Sequence, residues 1–281
     1  MIRDAIRLVV DGQVLTREQA GGAMGAIVDG EATPAQIAAL ATALRMRGER
    51  PEELAGFVDA MRARANRIET AAPALDTCGT GGDGLGTVNV STGAAIVVAG
   101  AGITVAKHGN RAITSKCGSA DVLEALGVKV DLPPDAVRRC IDSTGIGFMF
   151  APVFHPAMRH AAGPRREIGV RTVFNLLGPL ANPAGTPYQV IGVPSREAIQ
   201  LIAEALLALG AARAMVVHGL DGSDEISVSG PTEVAEVAGG AIRRYIIEPA
   251  DAGLHGDLQA GSAEGRSTGC HGCRHGLFYC R

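Results

Sequence analysis

The sequence predicts an α/β fold in which a small N-terminal helical domain precedes a larger domain with a central, mostly parallel sheet flanked by helices. Three observations predict it. Apolar residues recur at helical spacing from Ile2 to about Asn66, short apolar runs alternate with helical segments from Leu75 onward, and two polar, glycine-rich stretches stand where a strand hands over to a helix. The 281 residues suffice for a sizeable core, with domains expected at 1–70 and 71–254. A hydrophobic share of 47%, a charged share of 20% and a formal net charge of -3 describe an ordinary globular chain, with no reason to expect a nucleic-acid or membrane partner.

In the helical part, Thr16-x-x-Gln19 reads as a capping box, with Ala20, Ala23, Met24 and Ile27 on one face. Thr33-Pro34-Ala35-Gln36 repeats the signal with proline at the first helical position, and Ile37, Leu40, Ala41 and Leu44 follow. Pro51-Glu52-Glu53 opens a further helix whose stripe is Leu54, Phe57, Val58 and Met61. Arg64 to Pro73 is the expected hinge into the larger domain.

There, the stretch from Leu75 to Leu126 organises the chain. Asp76-Thr77-Cys78 ends a short apolar run, and Gly79, Gly81, Gly82, Gly84 and Gly86 then let backbone amides approach an anion with no Cβ in the way. Asn89, Ser91 and Thr92 add donors at the start of a helix expected to be buried over Gly93 to Gly102, whose positive end faces the same anion. Ile103-Thr104-Val105-Ala106 reads as a strand. After it come the cations and hydroxyls of Lys107-His108-Gly109-Asn110-Arg111, Thr114, Ser115, Lys116 and Ser119, which suit phosphate oxygens. Neither the dinucleotide fingerprint nor the Walker pattern fits these glycines.

Further strands are expected at Val128-Lys129-Val130, Ile146 to Phe150, Tyr188 to Val193 and Ala214 to Val217, and helices at Asp135 to Ser143 and Ser195 to Leu209. Ligands of such sheets bind beyond the carboxyl ends of the strands, where both glycine loops lie. Cys78, Cys117 and Cys140 are expected as free thiols in a chain too large to need staples. With no apolar run near the roughly 20 residues of a membrane span, the chain is expected in the cytoplasm. The stretch 255–281 lacks any period. Its Cys270-x-x-Cys273 has no second pair to complete a zinc site, so it reads as an aberrant, disordered tail after a shifted frame or truncation that leaves apolar faces uncovered.

The motifs GTGGD at 79–83, NVST at 89–92, KHGNR at 107–111 and GSADVLEALG at 118–127 resemble those of the anthranilate phosphoribosyltransferases, the tryptophan-pathway family of phosphoribosyltransferases. The resemblance implies a nucleoside phosphorylase/phosphoribosyltransferase-like fold, a homodimer formed through the helical domain, and transfer of a 5-phosphoribosyl group from phosphoribosyl diphosphate to anthranilate. It assigns to the sugar diphosphate Gly79, Gly82, Asp83, Thr87, Asn89, Val90, Ser91, Thr92, Lys107, His108, Gly109, Asn110, Arg111, Ala112, Ile113, Thr114, Ser115 and Ser119. Anthranilate falls to Gly79, Asn110 and Arg165, with His108 and His155 near its ring. The adjacent Asp224 and Glu225, with Ser91, resemble the family's Mg²⁺ ligands, about two ions per subunit, as hard oxygen donors beside a diphosphate suit that ion. The same architecture serves pyrimidine nucleoside phosphorylases, whose loops differ, and nucleic-acid-binding homologues, which need a basic groove this chain does not suggest.

Overall fold

Four helices open the chain: α1 (Ile2–Val10), α2 (Arg17–Val28), α3 (Pro34–Arg47) and α4 (Pro51–Ala63). Both expected capping boxes form. The Thr16 Oγ1 accepts from the Gln19 amide at 3.2 Å while Gln19 Oε1 accepts from the Thr16 amide at 2.9 Å, and Thr33 with Gln36 does the same at 3.3 and 2.9 Å. Proline at the first position of α3 and α4 supplies a preset φ where no intrahelical donor is needed. The stripes read from the sequence are the buried ones: Met24, Ile27, Ile37, Leu44, Leu54 and Phe57 are all at most 1% exposed. Each such side chain contributes about 1.5–3 kcal/mol by leaving water.

The structure is a computed structural model and describes residues 1–112 and 117–254. The expected phosphate contacts Ile113, Thr114 and Ser115, the neighbouring Lys116 and the tail 255–281 lie outside the described residues. Beyond the bundle the chain runs through β1 (Leu75–Gly79), α5 (Val90–Gly100), β2 (Val105–Gly109), α6 (Ser119–Ala125), α7 (Pro134–Thr144), β3 (Ile146–Phe150), α8 (Ala151–Phe154), α9 (Arg159–Ile168) and α10 (Phe174–Leu180). It continues with β4 (Tyr188–Gly192), α11 (Arg196–Ala208), β5 (Arg213–Gly219), β6 (Thr232–Ala238) and β7 (Ala241–Ile247).

The strands form one sheet in the order β3-β2-β1-β4-β5-β6-β7, parallel from β3 to β5 and antiparallel across β5, β6 and β7. Leu177 of α10, Ile191 of β4 and Ile199 and Ile202 of α11 join the side chains of the bundle in one apolar cluster, so the helical unit packs directly against one face of the sheet region. Among the described residues no helix is long and apolar enough to cross a membrane.

Several expectations need correction. Val128-Lys129-Val130 is not a strand: Gly127 turns the chain at φ +83°, the Val128 amide caps the preceding helix by donating to Leu123 O at 2.9 Å, and Pro133 and Pro134 follow too soon for a ladder to form. The strand expected at 103–106 is displaced, because β2 pairs with β3 from Val105↔Ile146 to Gly109↔Phe150 and so contains Lys107 and His108 instead of ending before them. The helix expected to be buried over 93–102 is α5, which begins at Val90 and leaves Ile96 42% and Val97 71% exposed. Cys78 and Cys140 are free, whereas Cys117 is disulfide-bonded. The β6–β7 hairpin, turned by Gly239 and Gly240 at positive φ, has no counterpart among the sequence expectations.

Candidate active site

The glycine-rich loop leaves the carboxyl end of β1, and the KHGNR segment is the end of β2 next to it. These two strands pair at Leu75 and Val105 alone, and then diverge. Three buried polar side chains take over the main-chain groups that a continued ladder would have satisfied. Asp76 Oδ1 accepts from the His108 amide at 3.2 Å, Asn182 Nδ2 donates to Ala106 O at 3.0 Å as well as to Asp76 Oδ2 at 2.7 Å, and Lys107 Nζ donates to Thr77 O. The wedge that opens between the strands therefore carries its own hydrogen bonds.

Lys107, 3% exposed, runs through this wedge and also donates to Ser91 Oγ at 3.2 Å. Burial lowers its pKa, against the opposing pull of the Asp76 carboxylate. Ser91 stands in the first turn of α5, which Asn89 caps by accepting from the Thr92 amide at 3.1 Å. Thr92 is buried, Val90 and Thr87 are exposed, and Asp83 accepts from the Leu85 amide at 3.2 Å. The donors expected at 87–92 thus line the mouth of a helix N-terminus.

The loop after β5 brings the paired acids. Asp221 fixes it by accepting from Ser223 Oγ at 2.7 Å and Ser227 Oγ at 2.5 Å, bonds that outweigh burial and hold its carboxyl at about 2. The loop then passes directly over β4: a Cβ on Gly192 would lie 1.6 Å from the Asp224 carbonyl oxygen, so only glycine admits this path. Asp224 is thereby set against the glycine loop, its Oδ2 3.2 Å from where a Cβ on Gly79 would be. Burial, then the neighbouring Asp83 carboxylate, raises the Asp224 carboxyl to about 6. Burial and then Asp224 raise that of Glu225 to about 8, although Lys107 and the Ser91 amide pull it down.

Two carboxyls that resist ionisation together, with a buried Asp83 Oδ2 that has no partner, form a donor set suited to a hard cation. Among the described residues no three His, Cys, Asp or Glu side chains converge closely enough to hold a metal by themselves.

On the other side of the wedge, His108 and His155 lie with ring centroids 5.2 Å apart. His108 Nδ1 is 3.2 Å from Gly178 O and His155 Nε2 2.9 Å from Ala181 O, and His108 Nε2 is buried without a partner. Burial, and then its neighbour His155, lowers His108 to about 3, and burial lowers His155 too, so both rings are neutral. Arg165, on α9, is half-buried over the Phe174 ring at 5.5 Å and has no carboxylate partner among the described residues; burial lowers its pKa.

Not every expected contact points into this space. Arg111 is tied to Glu124 at 2.7 Å and to Asp121 at 3.3 Å, and lies 5.5 Å over the Phe150 ring. Ser119 Oγ donates to Asn110 O at 3.2 Å, and Asn110 Oδ1 accepts from the Arg111 amide at 2.8 Å, so these two shape the second loop from within. Gly109 ends β2, and the Ala112 amide donates to Asp121 Oδ2 at 2.9 Å. Sequence reasoning missed Asp76, Asn182 and Arg171. A carboxylate inside a predicted strand marked Asp76; nothing local marked the other two.

The chain matches the glycosyl transferase family twice, its helical bundle domain over residues 3–65 and its a/b domain over residues 71–266. It is similar to the anthranilate phosphoribosyltransferase of Moorella thermoacetica, 57% identical over 94% of this chain and 79% of the relative. Among solved structures it resembles the anthranilate phosphoribosyltransferase of Thermus thermophilus, at TM-score 0.83 and 52% identity, covering 89% of this chain and 75% of that one. It also resembles the Saccharomyces cerevisiae enzyme in complex with PRPP and Mg, at TM-score 0.81 and 28% identity over 91% of this chain and 75% of that one. The yeast enzyme bound to 4-fluoroanthranilate aligns at TM-score 0.79 and 27% identity, over 90% and 74%.

Proposed function

The chain belongs to the anthranilate phosphoribosyltransferases of the glycosyl transferase family, and from that premise we propose how its own residues carry out the pentosyl transfer. The reaction moves the 5-phosphoribosyl group of phosphoribosyl diphosphate to the amine of anthranilate, releasing diphosphate, in tryptophan biosynthesis. The bond between ribose C1 and the diphosphate oxygen breaks as the amine nitrogen bonds to C1, and the amine proton leaves to solvent. Positive charge grows on the sugar and negative charge on the leaving group, so holding the departing diphosphate is the principal task.

The observation that carries this reading is the meeting of three elements at one crevice: the loop after β1, the end of β2, and the acidic loop after β5 folded over Gly192. Gly79, Gly82, Asp83, Thr87 and the start of α5 from Asn89 to Thr92 receive the diphosphate and ribose. Lys107, His108 and Gly109 hold phosphate oxygens, while Arg111, Ala112 and Ser119 act through the second loop that they brace from within. Ser91, Asp224 and Glu225 would hold Mg²⁺, about two ions per subunit, as hard oxygen donors beside the diphosphate. When bound, Mg²⁺ draws negative charge from the leaving group.

Anthranilate lies against Gly79 and Asn110, its carboxylate on the unpaired guanidinium of Arg165, with the neutral rings of His108 and His155 flanking the aromatic ring. Its amine is already neutral at pH 7, so orientation replaces a strong base. The boundaries follow as 1–70 for a helical, dimer-forming unit and 71–254 for the catalytic one, in a cytoplasmic enzyme. The test is loss of anthranilate fluorescence on incubation with phosphoribosyl diphosphate and Mg²⁺. Turnover that requires all three is expected; no consumption by folded protein at saturating substrates overturns the reading.

A further inference from the structure

Arg171 has no part in the assignments above, yet its side chain is built into the glycine loop. It sits in the short link between α9 and α10, and the backbone is fixed on both sides. Gly169 ends α9 in the left-handed region, while the Thr172 amide donates to Asn175 Oδ1 at 3.0 Å and Thr172 and Val173 are buried. From this anchored point the guanidinium reaches across to a loop 91 residues earlier, where Nη2 donates to Thr80 O at 2.9 Å.

The approach is close enough that any side chain at Gly82 would push the guanidinium off its place. A Cβ on Gly82 would lie 2.2 Å from Arg171 Nη1 and 2.6 Å from its Cζ, at a residue whose φ of +94° already favours glycine. The Arg171 charge also interacts with that of Asp224, whose Oδ2 stands 3.2 Å from where a Cβ on Gly79 would be. Thr80 in turn donates from its amide to Gly192 O at 2.9 Å. The Thr80 peptides are therefore held from two sides, by Arg171 on the carbonyl and by β4, over which the acidic loop passes, on the amide. Arg171 makes no ion pair at contact distance among the described residues, so the solvation lost on half-burying it is offset by the loop carbonyl and by a more distant charge.

We propose that Arg171 is a positioning residue for the sugar-diphosphate loop: its guanidinium clamps the Thr80–Gly82 backbone against β4 and the acidic loop over it, so that the loop already has its binding geometry when the ligand arrives. This rests on the reading that the loop receives phosphoribosyl diphosphate. The advantage is entropic, since a pre-formed loop does not have to be ordered by the ligand.

The full chain with Mg²⁺ tests it through Arg171→Ala, Arg171→Lys, Gly82→Ala and the double variant Gly82→Ala with Arg171→Ala. Removing the clamp is expected to raise KM for phosphoribosyl diphosphate by about tenfold or more, with kcat within about threefold and KM for anthranilate within about twofold, since misplacement of a binding loop costs up to about two decades. Lysine restores part of the loss, because one donor still reaches Thr80 O. Gly82→Ala loses more in the wild-type background than in Arg171→Ala, where the clash is gone.

A readout independent of turnover is amide exchange without substrate, which should quicken at 79–86 in Arg171→Ala and stay unchanged in α2 and α4. Unaltered KM and unaltered exchange at 79–86, additive effects of the two substitutions, or exchange quickened throughout the molecule would each overturn the proposal. Faster loop exchange in a chain whose wild type shows no phosphoribosyl transfer supports the clamp and removes only the assigned substrate.

Discussion

Glu53 in the helical bundle and the Asp224–Glu225 pair in the crevice are both buried carboxylates, and their surroundings differ completely. Glu53 is 0% exposed and every approach to it is a donor: Arg47 Nη1 at 2.8 Å, the Leu15 amide at 2.9 Å and the Arg50 amide at 2.9 Å. Asp224 and Glu225 instead crowd each other and Asp83, opposed only by the more distant charges of Lys107 and Arg171, and their carboxyls are raised to about 6 and about 8. The same contrast holds for neutral groups. Of the six buried side-chain polar atoms left without a partner among the described residues, four belong to Thr80, Asp83, Thr92 and His108 around the crevice. Polar groups are satisfied internally where the chain needs a rigid support, and left waiting where a ligand supplies the partner.

The largest test of that contrast is to neutralise the crevice pair. Asp224→Asn with Glu225→Gln should lower kcat/KM by about three decades, or about 4 kcal/mol, because charge at the leaving group is then unopposed by metal. The folded state should be no less stable at pH 8, since two reluctant charges are gone. Steady-state kinetics across a Mg²⁺ titration and a thermal melt check both halves, and an unchanged metal requirement would remove these residues from the metal site.

The converse change is Glu53→Ala, which leaves Arg47, 10% exposed, without its partner, and two main-chain donors unmet. A loss of about 3 to 5 kcal/mol in denaturant unfolding is expected. Activity per folded molecule should be retained, and a change in kcat without loss of stability would contradict the division.

A third consequence concerns pH. Asp224, at about 6 against an ordinary 3.8, and Glu225, at about 8 against 4.5, bind protons more tightly folded than unfolded. The stabilising share of such groups is complete below their unfolded values and is lost as pH rises through the folded ones, so metal-free protein should lose stability between about pH 4 and about pH 8. Asp221, lowered to about 2, acts in the opposite sense but only below about pH 4. Melting temperatures of metal-free protein at pH 5 and pH 8 should differ, Mg²⁺ should narrow the gap, and a flat profile would show that the acids are not crowded.

Arg165→Ala is expected to have a smaller effect confined to one substrate, raising KM for anthranilate by about tenfold, about 1.4 kcal/mol, while KM for phosphoribosyl diphosphate moves little. Equal weakening of both would take Arg165 out of the acceptor site.

How much of this is legible in the sequence follows from the range of the contacts. The capping boxes at Thr16 and Thr33 and the stripes of α2 to α4 are local patterns, and they read directly. So does β3, to the residue, because a strand of Ile-Gly-Phe-Met-Phe follows a helix stopped at Gly145. The glycine loop, the KHGNR segment and the Asp224–Glu225 pair are visible as motifs, yet the splay that separates β1 from β2 is not, since it depends on Asn182 reaching Asp76 across 106 residues. Lys107 reads as a loop cation in the sequence because its register is set by β3, not by its neighbours along the chain. Arg171 and Arg165 stand in one basic segment, and only the fold tells the one that packs under a loop from the one that faces an aromatic ring.

The mildest test lies at the outer side of α5, where composition misleads most. A run from Val90 to Gly100 without a single charge has the makings of a buried helix, yet only Thr92 and Ala95 are buried, and Val97 stands 71% exposed. At such a position Val97→Ser removes little apolar surface from contact with the protein and adds a residue of similar helix propensity. Its cost should then be within about 0.5 kcal/mol, as for surface positions generally, with solubility improved. A buried valine would behave otherwise, losing transfer free energy and placing a hydroxyl where it has no partner, at about 2 kcal/mol or more. Chemical denaturation separates the two, and a loss of the larger size would mean that something covers this face and that α5 belongs with the satisfied interior of the bundle, not with the open rim of the crevice.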